Sequence, residues 1–473
     1  MKKLFAITLF SCLAWYQAQA QEVLTLQECI EYAWTNSLRI QQSKLSIEQS
    51  KLQIKQADWA RYPSLSANIQ HGANFGRSID LTSYQFVNRF MQATSVSLGL
   101  NVPIYNGMQL SNTLKRSRVD LQASEMDLQQ VKNELSLSIA QAYLSVLLAE
   151  ENLEVLKEQN LVTIAQYERN EKFIAVGSLP DNSRYELEAQ MARNEQSIID
   201  AENNLNLAYL NLKVAINYPM QNEISVQKTA IENLLIAQQS NAPQEIYQAA
   251  QRTMPNLQAA RMREESALWN VKIAQGALTP SLSAFYNLAS NYSSTGTYYT
   301  GDTMQMVQTI QGDMNGTPFS LNIPQSIPVS EKSGFFRQMN NNLRHSFGLA
   351  AQIPIFNGFR TRISIQQAEL SVKIAQLNTQ QLEIQLQSDI QKAVLDIKGS
   401  EKRLLAAQKS LTATLAAVEN TTKRYELGIV NSFEYLSAQN SLLAARSNVL
   451  QAQYDYLFKL KILDFYQGKA ISL

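Results

Sequence analysis

The sequence holds 473 residues, 41 of them Lys or Arg and 40 Asp or Glu, for a formal net charge of +1. A near-neutral chain has no basic field for nucleic acid. Its 17 % of charged residues falls below the usual figure of about 25 %, and Gln, Asn, Ser and Thr stand in their place.

Residues 1–20 read as a secretory leader, with Lys2 and Lys3, an apolar run from Leu4 to Trp15, and Ala18-Gln19-Ala20 as a small-x-small cleavage site. Leu9-Phe10-Ser11-Cys12 offers a lipidation alternative, although Phe10 is bulky for such a signal and the run before Cys12 is short. Cleavage at Ala20 leaves one cysteine, Cys29, which excludes an intramolecular disulfide and reads as a small apolar residue in a helix. Beyond the leader no apolar run approaches the roughly 18 residues of a spanning helix. An exported chain of this kind enters a membrane as strands.

Thr25-Leu26-Gln27-Glu28 fits a capping box, so a helix starts there, breaks near Asn36 and resumes from Leu38 to Trp59, ahead of Pro63. From Ser64 the period changes to two, with Leu65, Ala67 and Ile69 alternating with polar residues. Val96, Leu98, Leu100, Val102 and Ile104 form a second alternation. Copies follow downstream, at Leu282, Ala284, Tyr286 and Leu288 and at Phe347, Leu349, Ala351, Ile353 and Ile355. Runs of about nine to eleven residues suit tilted bilayer strands. The polar segments between them, 72–93 and 290–342, read as long loops.

The chain is a duplication. Pro103-Ile104-Tyr105-Asn106-Gly107 returns as Pro354-Ile355-Phe356-Asn357-Gly358, a shift of 354 − 103 = 251 that also carries Gly177 onto Gly428. After each Asn-Gly turn the chain runs about seventy residues without Pro, with Gly399 the one Gly inside the second span, giving helices of about 100 Å with a seven-residue apolar repeat. Ile390, Ile397, Leu404, Leu411, Val418 and Tyr425 mark it in the second copy, with small companions such as Ala393 and Ser400. Gly177-Ser178-Leu179-Pro180 and Gly428-Ile429-Val430-Asn431 then turn each long helix into a returning one. The organisation predicted is a leader at 1–20 and a first repeat at 21–216, with a β-hairpin at 64–105, a long helix at 108–176 and a return helix at 181–216. A linker at 217–242 leads to a second repeat at 243–473, with a hairpin at 281–356, a long helix at 359–427 and a return helix at 432–466.

Four amphipathic strands make an open sheet, whose edges are not tolerated in hydrocarbon, so copies must associate. Two would give eight strands around a filled interior; three give twelve and a wider lumen.

The ordered set formed by Leu24-Thr25-Leu26-Gln27-Glu28, the duplicated Pro-x-aromatic-Asn-Gly motif and Tyr425-Glu426-Leu427-Gly428 resembles the TolC-like outer-membrane efflux factor family along essentially the whole mature chain. The resemblance implies a mainly α fold with β, a homotrimeric 12-stranded barrel in outer-membrane lipid continuous with a long periplasmic α-helical barrel. It implies partners in a periplasmic adaptor and an inner-membrane pump of resistance-nodulation-division or ABC type, with no enzymatic activity and no cofactor. It places adaptor docking at Gly177, Ser178, Leu179, Gly428, Ile429 and Val430, where Leu179 and Val430 read as apolar residues at an exposed turn. It places a periplasmic gate at Tyr425 and Glu434, with Ser437 and Ser183 at positions where the family carries further acidic residues. A capping role with Asn431 also fits Glu434. Pro103, Asn106, Gly107, Pro354, Asn357 and Gly358 form the strand-to-helix turns.

The residues also leave room for an exported coiled-coil structural or adhesin-like protein. His71 and His345 lack ligand spacing, and no nucleophile and base grouping stands out.

Overall fold

The computed structural model describes residues 22–79, 84, 86–88, 90–178, 180–228, 242–314 and 316–469. The leader and Leu179 lie outside them. In chain order the elements are β1 (Glu22–Leu24), α1 (Leu26–Asn36), α2 (Leu38–Trp59), β2 (Ser64–Asn74), β3 (Arg77–Ile79), β4 (Phe86–Asn88), β5 (Met91–Asn106), α3 (Gln109–Ala175), α4 (Asn182–Ile216), β6 (Ile224–Val226), α5 (Pro243–Thr253), α6 (Pro255–Gly276), β7 (Ser281–Ser293), β8 (Thr297–Met314), β9 (Thr317–Lys332), α7 (Phe335–Asn341), β10 (Arg344–Gln352), α8 (Arg360–Glu426) and α9 (Ser432–Tyr466). The bounds of α3 and α8 differ by 360 − 109 = 251 and 426 − 175 = 251, the shift of the sequence repeat.

The chain forms two compact units, and each repeat contributes to both. The first comprises the described residues of Met1–Leu52, Arg118–Ser266 and Val372–Leu473. Its helices start where the chemistry of free backbone N–H groups allows. Thr25 accepts from the Glu28 N–H while the Glu28 carboxylate accepts from the Thr25 N–H, a complete capping box. Polar contacts between helices give their lateral order. Arg39 pairs with Glu134 and Ser50 meets Ser124, joining α2 to α3. Arg263 reaches Asp127 and Ser266 donates to Asp120, joining α6 to α3, while Arg261 pairs with Glu383 to join α6 to α8. That order is α2, α3, α6, α8. Further along the long helices the order is α4, α3, α9, α8, through Lys157 with Glu202, Tyr454 with Glu151, and Arg403 with Asp455.

Within α8 the heptad residues Ile390, Leu404 and Val418 are buried, as are the small companions Ala393 and Ser400. A small companion lets a neighbouring backbone approach closely. The main core gathers Cys29, Ile30 and Ala33 of α1, Ile139, Tyr143 and Val146 of α3, and Leu212 and Ile216 of α4 around a parallel pair, β1 with β6. Burial pushes the Cys29 thiol up to about 12, so it stays protonated, and Tyr143 is likewise pushed up to about 12. The Tyr143 hydroxyl points at the Leu24 and Gln227 carbonyls at 3.2 and 2.9 Å and ties α3 to both strands. Replacing Tyr143 by Phe removes the hydrogen bond to the part-buried Gln227 carbonyl, a loss of about 0.5–1.5 kcal/mol locally. Faster deuterium exchange at the amides of β1 and β6, with the rest of the helices unchanged, is the expected readout.

The second unit comprises Gln53–Ser117 and Ala267–Ser371 in its described part. Its sheet is antiparallel in the order β10-β7-β5-β2. Two expectations need correction. β10 ends at Gln352, opposite Ser281, rather than running on through Ile355, because β7 offers no further partner and Pro354 has no N–H to pair. The segment 290–342 is not a loop. It holds the tail of β7, the paired strands β8 and β9, and α7, while 72–93 holds the ends of β2 and β5 and the short pair β3 with β4. Pro318, Pro324 and Pro328 disguised β9, since proline in a run ordinarily argues against a strand.

Candidate functional site

Register makes the sheet two-faced. Leu65, Leu100, Tyr286 and Phe347 form one row across all four strands, and Ala67, Leu98 and Leu288 the next. The opposite face carries Ser66, Gly99, Asn287 and Ser346 in one such row. On the edge strands Leu65, Ile69, Phe347 and Leu349 are exposed. Among the described residues β2 and β10 each pair on one side only. An apolar face on an open sheet has the form that a membrane-spanning sheet needs and that water disfavours. Among the described residues no helix is long and apolar enough to cross a membrane.

The strand-to-helix turns in this unit are built alike but surrounded differently. Gly107 and Met108 take φ of 64° and 62°, and Gly358 and Phe359 take 64° and 61°, two consecutive left-handed residues that reverse the chain into the helix. Asn106 Oδ1 accepts from the Leu110 N–H at 3.4 Å, and the Asn357 amide meets Thr361. Pro103 lies at a register shift in β5, and Pro354 lies beyond the end of β10. A Cβ on Gly107 would lie 2.1 Å from the Gly276 carbonyl oxygen at the end of α6, whereas one on Gly358 meets nothing within 4 Å among the described residues. The first turn is sealed by its own chain, the second is open.

In the helical unit both hairpin tips end in the same cap. Gly177, at φ 74°, donates to the Ile174 carbonyl and Ser178 to Phe173; Gly428, at φ 69°, donates to Tyr425 and Ile429 to Arg424. These are Schellman motifs, which satisfy the last carbonyls of α3 and α8. The turn projects Ile429, 62 % exposed, and returns the chain inward at Val430, 8 % exposed. Val430 is therefore not the exposed apolar residue the sequence suggested, because the residue after the second motif position folds back toward α9. Sequence reasoning missed Leu427 and Phe433, both exposed beside it. Their signal was an apolar residue next to a cap with no core to enter.

Tyr425 stacks on buried Tyr435, ring centroids 4.8 Å apart at 18°, in a cluster with Leu187, Leu436 and Tyr167. Burial pushes the Tyr435 phenol up. Asn170, 1 % exposed, accepts from Gln166 at 3.0 Å and donates to the Tyr425 hydroxyl at 2.9 Å, which in turn faces Ser432 at 3.5 Å. Arg169 pairs with Glu426 at 2.8 Å. These contacts join α3 to α8, and neither Asn170 nor Arg169 was singled out in the sequence. The signal was available, since Asn170 occupies the small-companion position where α8 has Thr421, and a buried amide there requires partners. Glu434 takes half of the expected cap. Its N–H donates to Asn431 Oδ1 at 2.9 Å, but its carboxylate turns to Arg424, 3.5 Å away. Ser183 is buried and Ser437 exposed. Among the described residues no group of His, Cys, Asp and Glu is placed to hold a metal ion.

The model of the outer membrane efflux protein family matches residues 29–218 and 246–468, which is most of both repeats. The chain belongs to that family. This outer membrane efflux protein is 22 % identical over 387 residues to the outer membrane protein TolC of Vibrio cholerae, covering 81 % of this chain and 80 % of the relative. Its fold resembles crystal structures of CusC, with a TM-score of 0.75 at 17 % identity and coverage of 95 % and 93 %, and of VceC from Vibrio cholerae, with 0.72 at 17 % identity and coverage of 94 % and 96 %. The efflux protein is thus an outer-membrane channel of the duplicated helix-strand-strand-helix fold, from a family of channels and not of enzymes.

Proposed function

We propose that three copies of this chain associate side by side as the exit duct of a tripartite export system. The duct passively conducts what a periplasmic adaptor and an inner-membrane pump deliver. The observation that carries this reading is the pair of unpartnered helix faces at the two ends of the lateral order. On α2, Leu38, Leu45, Leu52 and Trp59 recur at intervals of seven and are exposed; on α8, Ile363, Leu370, Leu377 and Ile384 do the same. Inside the chain the corresponding neighbours, α3 and α6, are in contact through Arg116 with Asn270 and Lys115 over Trp269. The seven-residue stripes suit the same packing between α8 of one copy and α2 of the next. The sheet's open edges are β2, which follows α2 in the chain, and β10, which precedes α8, and joining them in threes closes twelve strands with the apolar face toward outer-membrane lipid.

The tips supply the docking surface, with Gly177, Ser178, Gly428 and Ile429 at the turns and Leu179 retained from the sequence. Val430 shapes the second turn from within. Tyr425 with Asn170, and Arg169 with Glu426, act as a latch holding the α8 and α9 hairpin against α3 at the periplasmic end. Glu434 faces Arg424, a counter-charge within its own hairpin that opposes the field of an acidic ring.

A photo-crosslinking residue in place of Leu45 or Leu377 is expected to capture a second copy of this chain, and one in place of Ile429 to capture a periplasmic adaptor. If correctly exported protein captures only unrelated chains at Leu45 and Leu377, the assembly is wrong. No adaptor at Ile429 would sink the docking assignment and favour a structural surface protein instead.

A further inference from the structure

The connection from β7 to β10 carries a device that the duct itself does not require. Strands β8 and β9 pair over most of their length and stand apart from the four-stranded sheet. Their register separates two faces. Met304 lies opposite Ile327 and Ile310 opposite Leu321, with Met306, Ile323 and Phe319 on the same side, where Gln325 and Gln308 interrupt the apolar row; the reverse side pairs Gln305 with Ser326, Thr309 with Asn322 and Gln311 with Ser320, and Val307 with Pro324. The apolar side chains are between 39 and 61 % exposed, an uncovered face of the kind that marks an interaction surface.

The base is fixed rather than loose. Gln338 of α7, 2 % exposed, donates to the Ser293 and Ser333 carbonyls at 2.9 and 2.7 Å and accepts from the Ser293 N–H at 2.9 Å. A register shift between Tyr299 and Thr303, with Gly301 at φ 89°, re-aims the strands above that base.

Three observations select the occupant. From Thr303 to Ser330 the sequence has one charged residue, Asp313, and no Lys, Arg, Trp or Tyr, the residues that hold an element at a phosphate-bearing membrane surface. Pro318, Pro324 and Pro328 are separated by even numbers of residues along β9, six and four, and pair with Asp313, Val307 and Thr303. Proline fits a ladder only where its missing N–H would point outward, so these three blunt the free edge of β9 against added strands and leave the face as the route of contact. The hairpin also leads, through α7, into β10, an open edge at which, on the trimeric reading, the next copy joins.

We infer that the apolar face of β8 and β9 packs against the same face on the other copies of this chain, forming a self-associated cap on the loop side of the sheet. This rests on the trimer proposed above. The three faces close on one another about the symmetry axis, and the Gln, Thr, Ser and Asn face stays in water.

The test uses full-length chains carrying Ile310→Cys, Ile327→Cys or Thr309→Cys, purified in detergent. The native Cys29 is fully buried and does not interfere. Light scattering measures assembly, and a short bis-maleimide followed by a denaturing gel measures contact. Ile310→Cys and Ile327→Cys are expected to move most of the chain into covalent dimers, whereas Thr309→Cys, on the reverse face, leaves it monomeric. Trimers with no crosslink at either apolar position, or with equal crosslinking at Thr309→Cys, overturn the cap and leave the trimer standing. Preferential labelling of Ile310→Cys by a lipid-soluble maleimide in intact outer membranes, or its capture of a different protein, also overturns the cap in favour of that occupant. A wild-type chain that is monomeric by light scattering removes the underlying reading as well.

Discussion

Gly107→Ala is expected to abolish most of the correctly inserted protein, while Gly358→Ala, at the matching turn of the second repeat, leaves the single chain intact and weakens its assembly. Both substitutions meet the penalty for a left-handed L residue, about 1–2 kcal/mol. At Gly107 there is a second cost. The new Cβ lands 2.1 Å from both the Gly276 carbonyl oxygen and Thr279 Oγ1, and backbone on each side forms the contact, since a Cβ on Gly276 would itself lie 2.4 Å from the Gly107 carbonyl oxygen. Overpacking of this kind adds about 1–3 kcal/mol or more. Gly358 meets no such neighbour within its own chain. If the end of α2 from the next copy closes that turn as the end of α6 closes the first, the clash appears only on association. Heat-resistant oligomer on a mild gel, compared with total membrane-inserted chain, separates the outcomes. A Gly358→Ala chain that assembles like wild type would show that the neighbouring α2 does not close there.

The second large effect is expected at the latch. Arg169→Ala combined with Asn170→Leu should raise single-channel conductance severalfold in planar bilayers while trimers persist. The Asn170 to Tyr425 hydrogen bond contributes about 0.5–1.5 kcal/mol and the half-exposed Arg169 to Glu426 pair about 0–1 kcal/mol. Each is small, but three copies opening together sum them, and every 1.4 kcal/mol shifts the closed to open ratio about tenfold. Conductance unchanged in intact trimers would reduce these contacts to packing between α3 and α8, with the Tyr425 and Tyr435 stack holding the helices regardless.

Much of the architecture was legible because its signals are local. The capping box at Thr25, the change of period at Ser64, the Asn-Gly turns and the seventy-residue spans punctuated by Gly177 and Gly428 all act through backbone geometry within a few residues. A repeat doubles each signal. The heptad seam was readable for a related reason, since a seven-residue period is a property of one helix that anticipates a neighbour it does not name.

What only the tertiary structure decided depends on partners distant in sequence. The direction of Val430 follows from how the Schellman turn returns toward α9, not from its apolarity. The end of β10 is set by the end of β7, and β9 became visible only through its pairing with β8, against three prolines. Asn170 and Arg169 gain their meaning from Tyr425 and Glu426, about 255 residues away in the chain. The sequence by itself determined the long helices, the four strands of the main sheet and the glycine turns, because propensity and periodicity are written in neighbours; the strands β8 and β9 it left as loop. Which faces meet, and which of the two glycine turns is sealed, was decided by the tertiary structure, because those are relations between segments that the chain brings together only when folded.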